Sequence, residues 1–341
     1  MKNRIVYFYA ALIVLTTLFM VGCNSSNTPT LPTVSGKAGE VIVVMDKTRW
    51  EGEIGDLLRN DLAKEMIALP QPEPMFDLIN ITPAAFGKIF KSHRNIIIVK
   101  IDPQFKESKI LVQKDVYAKP QYIFNLIAPN DQAFKELLKS QGDKLLEMLK
   151  NSERKRLMDL YRRIRDNSIY STLEKHHHLT LSVPRGYSLD VDTSNFVWIS
   201  NETPLTSQGI LIYTYPYRDT SDFNVKNLIR ERNRFLKKYV PGPTKGSYMA
   251  TESQFHTVSK AFMYNGRYFK ELRGLWRTEN AFMGGPFISL STVDQKRNRI
   301  VTVEGFVYAP RNEKRPLLRQ VEAIIYSLQF PDEDKNGKSS K

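Results

Sequence analysis

The chain has 341 residues, of which 41% are hydrophobic, and this content suffices for one large or two ordinary folded domains. Its formal charge of +14 at pH 7 favours anionic partners, because the field of a basic protein attracts anions over its whole surface. The single cysteine excludes an internal disulfide framework.

The first 22 residues have the layout of a secretory signal. Lys2 and Arg4 precede an apolar run over 5–21, which is typical of exported chains. The run ends in Met-Val-Gly-Cys, which resembles the bacterial lipobox, where small residues precede a cysteine that receives a lipid. The resemblance implies a lipoprotein signal peptide over 1–22 and acyl chains on Cys23, which leaves no thiol for cysteine catalysis. The alternative is an uncleaved transmembrane helix, since the run is just long enough to span a bilayer.

A first folded unit is predicted over 40–176, after a flexible tether rich in Ser, Thr and Pro over 23–39. Short apolar runs indicate strands, and apolar spacings of three and four indicate helices. Strands are predicted at 40–46, 77–81, 95–101, 109–117 and 121–129. Helices are predicted at 51–66 and 83–90, and a long helix begins after Asn130 and runs to about residue 170.

A second unit is predicted over 177–331 and is followed by a polar tail over 332–341. Its predicted strands lie at 178–184, 187–193, 196–200, 209–217, 255–264, 267–277, 287–293 and 299–309. Helices are predicted at 223–239 and 314–328.

The order of elements predicts the fold class. Both units give a strand, a helix, several strands and a final helix, which suggests a duplication. Strands that occur in groups, rather than alternating with helices, indicate antiparallel sheets. The sequence therefore predicts an α+β fold of two similar units of mostly antiparallel sheet, with helices packed on one face and a long helix joining the units.

No motif assigns a reaction. The chain has no nucleophile elbow, zinc-protease helix, phosphate-binding loop or dinucleotide fingerprint, so we predict no catalytic residue, no metal site and no cofactor. The run His176-His177-His178 would place two imidazoles on one face of a strand, as a metal site requires. A polar junction between a helix and a strand is the simpler interpretation.

A basic segment over 153–166 is the first candidate site. Its cations alternate with apolar residues that form a stripe suited to docking on the fold, so the cations cover the other faces of the helix. They are either a solvated face or a patch for anions and membrane surfaces. The candidate anion-binding residues are Arg154, Lys155, Arg156, Arg162, Arg163 and Arg165.

Aromatic residues on the strands of the second unit form the second candidate site. Aromatic faces bind sugars and peptides but also fill sheet interiors, so core packing is the alternative. In the predicted strand over 268–277, alternation places Glu271, Arg273 and Arg277 on one face, which permits a charge pair within the sheet. The candidate ligand-face residues are Trp198, Tyr213, Tyr215, Trp276 and Arg273.

Several segments together resemble a family of Bacteroidota cell-envelope lipoproteins that is a domain of unknown function. They are the lipobox, the tether, the EVIVVMD opening, the IAPND junction and the PRGYSLDVDT segment. The resemblance implies an envelope location and a lipid anchor, and no activity. In these lipoproteins an acidic cluster after the cysteine marks export to the cell surface. Its absence after Cys23 favours the outer membrane, facing the periplasm.

The second unit also resembles the sandwich found in photosystem-assembly and Ran-binding proteins, through its P-x-G-Y segment, its strand tryptophan and its final helix. That resemblance implies binding rather than catalysis.

The leading hypothesis is a lipid-anchored envelope protein with a non-enzymatic binding or assembly role. The expected partners are the membrane through lipidated Cys23 and either an anionic envelope polymer or another envelope protein; no nucleic acid is expected. The alternative is a cell-wall hydrolase that uses paired carboxylates such as Glu271 or Glu304, which would have to lie about 5–10 Å apart across a cleft.

Overall fold

The computed structural model describes residues 30–332. The predicted signal peptide over 1–22 and the predicted lipid site at Cys23 lie outside the described residues, as does the predicted tail beyond residue 332. Within the described part, no helix is both long and apolar enough to cross a bilayer.

The first unit contains a five-stranded sheet and most of the helices. The strands are β1 (Glu40–Val44), β2 (Asp77–Ile81), β3 (Asn95–Ile101), β4 (Lys109–Lys114) and β5 (Tyr122–Ala128). The helices are α1 (Lys47–Glu51), α2 (Glu53–Leu62), α3 (Lys88–Lys91), α4 (Asp131–Ile164) and α5 (Asn167–Thr172). The strands have the spatial order β2-β1-β3-β5-β4. Helix α4 begins after Asn130, whose side chain accepts a hydrogen bond from the backbone N–H of Ala133 at 2.9 Å, as predicted for a cap.

The second unit contains an eight-stranded antiparallel sheet. The first four strands are β6 (Ser188–Thr193), β7 (Phe196–Glu202), β8 (Ser207–Pro216) and β9 (Tyr248–Thr251). The others are β10 (Val258–Tyr264), β11 (Arg267–Glu279), β12 (Gly284–Asp294) and β13 (Arg299–Tyr308). The strands have the spatial order β10-β11-β12-β13-β8-β7-β6, and β9 pairs with the C-terminal end of β11. The helices are α6 (Val225–Tyr239) and α7 (Arg315–Ile325).

The two units share one hydrophobic core. Leu149 of α4 and Ile324 of α7 are fully buried in the same cluster as Val41 of the first sheet and Val303 of the second. Helices α4 and α7 pack against each other between the two sheets. Since burial of apolar area supplies most of the folding free energy, the units stabilise each other.

The prediction of an α+β fold with two sheets and a long helix between the units is confirmed. The prediction of a mostly antiparallel sheet is wrong for the first unit, where β1, β2, β3 and β5 are parallel and only β4 is antiparallel. The run over 95–101 is buried only at its first three residues, where the strand is covered on both faces, and it becomes partly exposed towards its C-terminal end. The duplication is therefore also wrong, because the two sheets differ in strand direction and order.

Two further details correct the sequence-based picture. Helices do not pack on one face only, because α7 covers one face of the second sheet and α6, through Phe235, covers the other. The predicted flexible tether over 23–39 is wrong at residues 32–35, because Lys119 donates its backbone N–H to the carbonyl of Pro32 at 2.8 Å and Ser35 donates to the carbonyl of Ser92 at 2.9 Å. These bonds fix residues 32–35 beside the first sheet.

Candidate anion-binding cleft

A cleft of about 740 Å³ lies between the two units. One wall is the C-terminal half of α4, and the opposite wall consists of β10, β11 and the segment after α7. Residues 66–67 and Met75 of the first unit complete the cleft. Its volume lies within the range of small-molecule and cofactor sites.

The sequence of α4 directs one row of side chains into the cleft. Lys150, Arg154, Met158 and Arg162 are spaced four residues apart, and this spacing places them on one helix face. Glu147, Asn151, Lys155 and Asp159 form the adjacent row.

Positive charge dominates the lining of the cleft. Seven cationic side chains face three carboxylates, and the half-buried carboxylate Asp159 already pairs with Lys155 and Arg162 at 3.2 Å each. The cleft can therefore accept additional negative charge. The cations are Lys150, Arg154, Lys155, Arg162, Arg165, Lys260 and Arg273, and the carboxylates are Glu147, Asp159 and Glu271.

The remaining surface of the cleft is methionine-rich and aromatic. Tyr326 stacks on Phe262 with ring centroids 6.0 Å apart and meets Tyr264 edge to face at 5.6 Å. Methionine side chains are flexible and adapt to different apolar groups. Four of them line the cleft, namely Met66, Met75, Met158 and Met263.

A buried ion network forms the floor of the cleft. Arg273 contacts Glu271 at 2.7 Å and Glu322 of α7 at 3.0 Å, so it links a strand to a helix. Arg154 of α4 lies 3.3 Å from Glu322, and its guanidinium lies 3.8 Å from the ring centroid of Tyr326. The Tyr326 hydroxyl donates to Glu271 at 2.6 Å. The prediction of a charge pair on β11 is confirmed for Glu271 and Arg273.

Electrostatics keep this network ionised. Burial alone would raise the pKa of Glu322, but the charges of Arg273, Arg154 and Lys150 outweigh it and lower that pKa to about 2. Burial tends to lower the pKa of Arg273, yet Glu271 and Glu322 hold it well above its usual range. Glu322 therefore remains a carboxylate at neutral pH and has no proton to donate.

The six predicted anion-binding cations do not lie in one place in the structure. Arg154, Lys155, Arg162 and Arg165 line the cleft, with Arg165 held 3.9 Å from the ring centroid of Tyr170. Arg163 is exposed outside the cleft.

Arg156, on another face of α4, has a buried structural role. It forms an ion pair with Glu153, which itself contacts Arg94 at 3.0 Å. It also donates to the Asn95 side chain at 2.5 Å and to the carbonyl of Pro120 at 3.1 Å. These contacts fasten α4 to the first sheet and leave Arg156 unable to reach a ligand in the cleft.

The predicted ligand-face residues separate into three places. Trp198 and Trp276 line a second, apolar pocket of about 360 Å³ at the far end of the large sheet. Tyr213 and Tyr215 are buried against Phe235 of α6, with the Tyr213 centroid 5.0 Å from that of Phe235. Arg273 belongs to the floor of the cleft.

The histidine run forms a polar junction. His177 and His176 both contact Asp192 of β6, at 2.6 and 3.3 Å, and His178 lies 3.7 Å from Asp332. Burial would raise the pKa of Asp192, but the hydrogen bonds from both imidazoles lower it. Among residues 30–332, no group of His, Cys, Asp and Glu side chains could hold a metal ion.

Sequence reasoning missed Glu322, Tyr326 and the four methionines of the cleft. Glu322 and Tyr326 belong to the predicted last helix, whose apolar pattern identifies the helix but not what its polar side chains contact. The methionines come from four separate segments, and only the tertiary fold brings them together.

Two family models cover most of the chain. Residues 34–162 match the model described as "Domain of unknown function (DUF8532)" and residues 166–327 match "Domain of unknown function (DUF4837)". Both models describe domains without an assigned activity. No curated protein matches the sequence significantly.

Solved structures give a partial likeness. The Ran-binding protein Mog1p of Saccharomyces cerevisiae aligns with 10% identity and a TM-score of 0.31, over 46% of this chain and 92% of its own. A mutant of Mog1 aligns with 12% identity and a TM-score of 0.28, over 45% and 90%. Likeness at this level gives no basis for assigning a function.

Proposed function

We propose that this protein is a lipid-anchored envelope protein that binds an anionic partner in the cleft between its units without converting it. The observation that carries the proposal is the excess of cationic over acidic side chains around a cleft of about 740 Å³. A basic cleft with low-dielectric walls concentrates field lines and attracts anions. The methionine and aromatic surface beside these cations suits a partner that also has apolar groups.

The positions of the carboxylates favour binding over hydrolysis. Glu304 is fully buried against Arg232, with N–O distances of 2.8 and 2.7 Å. It belongs to the core on the α6 face of the sheet, whereas Glu271 lines the cleft on the α7 face. These two carboxylates cannot act on one substrate. Glu322, which shares Arg273 with Glu271, is held ionised by its arginines and cannot serve as the general acid.

The envelope location is proposed from the sequence alone. The lipobox-like segment and the solitary cysteine support a lipid on Cys23, an outer-membrane anchor and a domain that faces the periplasm. In a Gram-negative host, the full chain is expected to fractionate with membranes and to carry acyl groups by intact-mass measurement. Cys23→Ser should abolish both properties. A Cys23→Ser protein that stays with the membrane, together with a wild-type chain that lacks acyl groups, would favour a spanning helix instead.

The anion-binding role is tested on the unacylated chain from residue 24 onward. The probe is fluorescently labelled inorganic polyphosphate, and the variant is Lys155→Gln/Arg162→Gln, which removes two exposed cations of the cleft. We expect binding about fivefold to tenfold weaker for the variant, most clearly at low salt.

The matched control is Lys144→Gln/Arg163→Gln, which removes two exposed cations of the same helix outside the cleft. This control lowers the net charge by the same amount, so it measures the effect of charge alone. Equal affinities of the two double variants would mean that the anion does not bind in the cleft.

A further inference from the structure

The cleft contains a sheet edge. Strand β10 pairs only with β11 among residues 30–332, so its other edge has backbone N–H and C=O groups without a strand partner. None of its seven residues is buried. Such an edge is a template for a further strand.

The geometry of β10 favours pairing. Its register with β11 is unbroken from Val258 to Tyr264. At the opposite edge of the same sheet, the pairing of β6 shifts between Leu189 and Val191, an irregularity that discourages further pairing. The Val258, Phe262 and Tyr264 side chains of β10 line the cleft.

The opposite wall of the cleft matches this edge in length and supplies charge. Seven strand residues extend over about 23 Å, and the part of α4 from Glu147 to Ile164 extends over about 27 Å. Lys260 of β10 lies 3.8 Å from Glu147, so the strand and the helix approach each other at one end. An added strand would therefore have the paired backbone of β10 on one side and the cations of α4 on the other.

We propose that the cleft binds an extended acidic peptide segment of a partner protein, which adds to β10 as a further strand. This inference rests on the proposed function and specifies its ligand. Side chains alternate between the two faces of a strand, so the residues that face α4 are carboxylates at every second position. Opposite Lys155 and Arg162 the carboxylates form charge pairs, and the apolar residues between them lie on the other face of the strand, the face on which Met263 of β10 lies.

An extended peptide uses features that a headgroup or a free polyanion leaves unused. A lipid phosphate requires the cations alone and does not pair with a strand edge, whereas a peptide backbone satisfies the donors and acceptors of β10. The agreement in length between β10 and the basic part of α4 also favours a linear segment over a compact ligand.

The test uses a fluorescent peptide of about eight alternating glutamate and valine residues, a length that covers β10, and the unacylated chain. Two matched peptides have N-methyl groups on the odd or on the even amides, which preserves charge and removes the donors on one edge. Anisotropy titration should show binding of the parent peptide and at least about tenfold weaker binding of one methylated peptide, because several backbone hydrogen bonds are lost together.

The protein variants locate the contact. Lys155→Gln/Arg162→Gln should weaken binding of the parent peptide about fivefold to tenfold, and Lys144→Gln/Arg163→Gln should leave it unchanged. Equal binding of all three peptides would overturn strand addition. Strand addition would also be overturned if polyphosphate or anionic vesicles bound in the cleft and the peptide did not. The proposed function would then stand. If Lys155→Gln/Arg162→Gln bound polyphosphate and the peptide as tightly as the wild type does, both strand addition and the proposed function would be overturned.

Discussion

Replacing Arg232 with methionine is expected to destabilise the protein by about 3–5 kcal/mol, because it leaves the Glu304 carboxylate buried without a counter-charge. Both side chains are fully buried. Arg232 donates twice to Glu304 and once to Thr251 at 2.8 Å, and its guanidinium lies 3.8 Å from the ring centroid of Phe287. Urea unfolding at pH 7 measures the change in the free energy of unfolding.

Two variants separate the loss of the ion pair from the loss of an arginine. Arg234→Met removes an exposed arginine of the same helix, which pairs with Glu231, and should cost no more than about 0.5 kcal/mol. The double variant Arg232→Met/Glu304→Leu removes both buried charges and should recover most of the lost stability, since apolar replacements of buried pairs are often neutral. A double variant as unstable as Arg232→Met would contradict this explanation.

Replacing Glu322 with glutamine should destabilise the protein by about 3 kcal/mol at pH 7. The carboxylate has a pKa of about 2 when folded, below the ordinary value of 4.5, so folding favours its ionised form. This contribution is complete above pH 4.5 and is lost as the pH falls towards 2. Glutamine preserves the shape and removes the charge that neutralises Arg273 and Arg154.

The dependence on pH distinguishes this effect from a packing defect. Urea unfolding at pH 7, 5 and 3 should show the difference between wild type and Glu322→Gln shrinking at pH 3, because the wild type loses the stabilisation that the variant already lacks. Glu65→Gln, at an exposed position, serves as the control. A difference that stays constant from pH 7 to pH 3 would show that Glu322 acts through packing and not through its charge.

Local signals in the sequence predicted the individual helices and strands better than they predicted how these elements pair and pack. The cap at Asn130 and the long helix after it follow from side-chain chemistry within a few residues. The direction of β1, β3 and β5 depends on crossover connections between distant segments. Helices were predicted between these strands, at 51–66 and 83–90, but the grouping of the strands over 95–129 favoured a meander over parallel crossovers.

The site was predictable only in part, for a related reason. The density of cations in 153–166 identified the helix that lines the cleft. It could not separate Arg162, which faces the cleft, from Arg156, which is buried against the first sheet. That distinction depends on where the first sheet and α7 meet α4. Similarly, the five candidate ligand-face residues do not share one face: Trp198 and Trp276 line the apolar pocket, Tyr213 alternates towards the α6 core and Arg273 towards the opposite face.

The most direct test of the cleft as the binding site is an NMR titration of the unacylated chain, labelled at its methionine methyl groups, with inorganic polyphosphate. Met66, Met158 and Met263 line the cleft, and Met249 and Met283 line the distant apolar pocket and serve as internal references. We expect the methyl signals of Met66, Met158 and Met263 to shift during the titration while those of Met249 and Met283 stay in place. Shifts at Met249 and Met283, with the signals of the cleft unchanged, would contradict the proposed function.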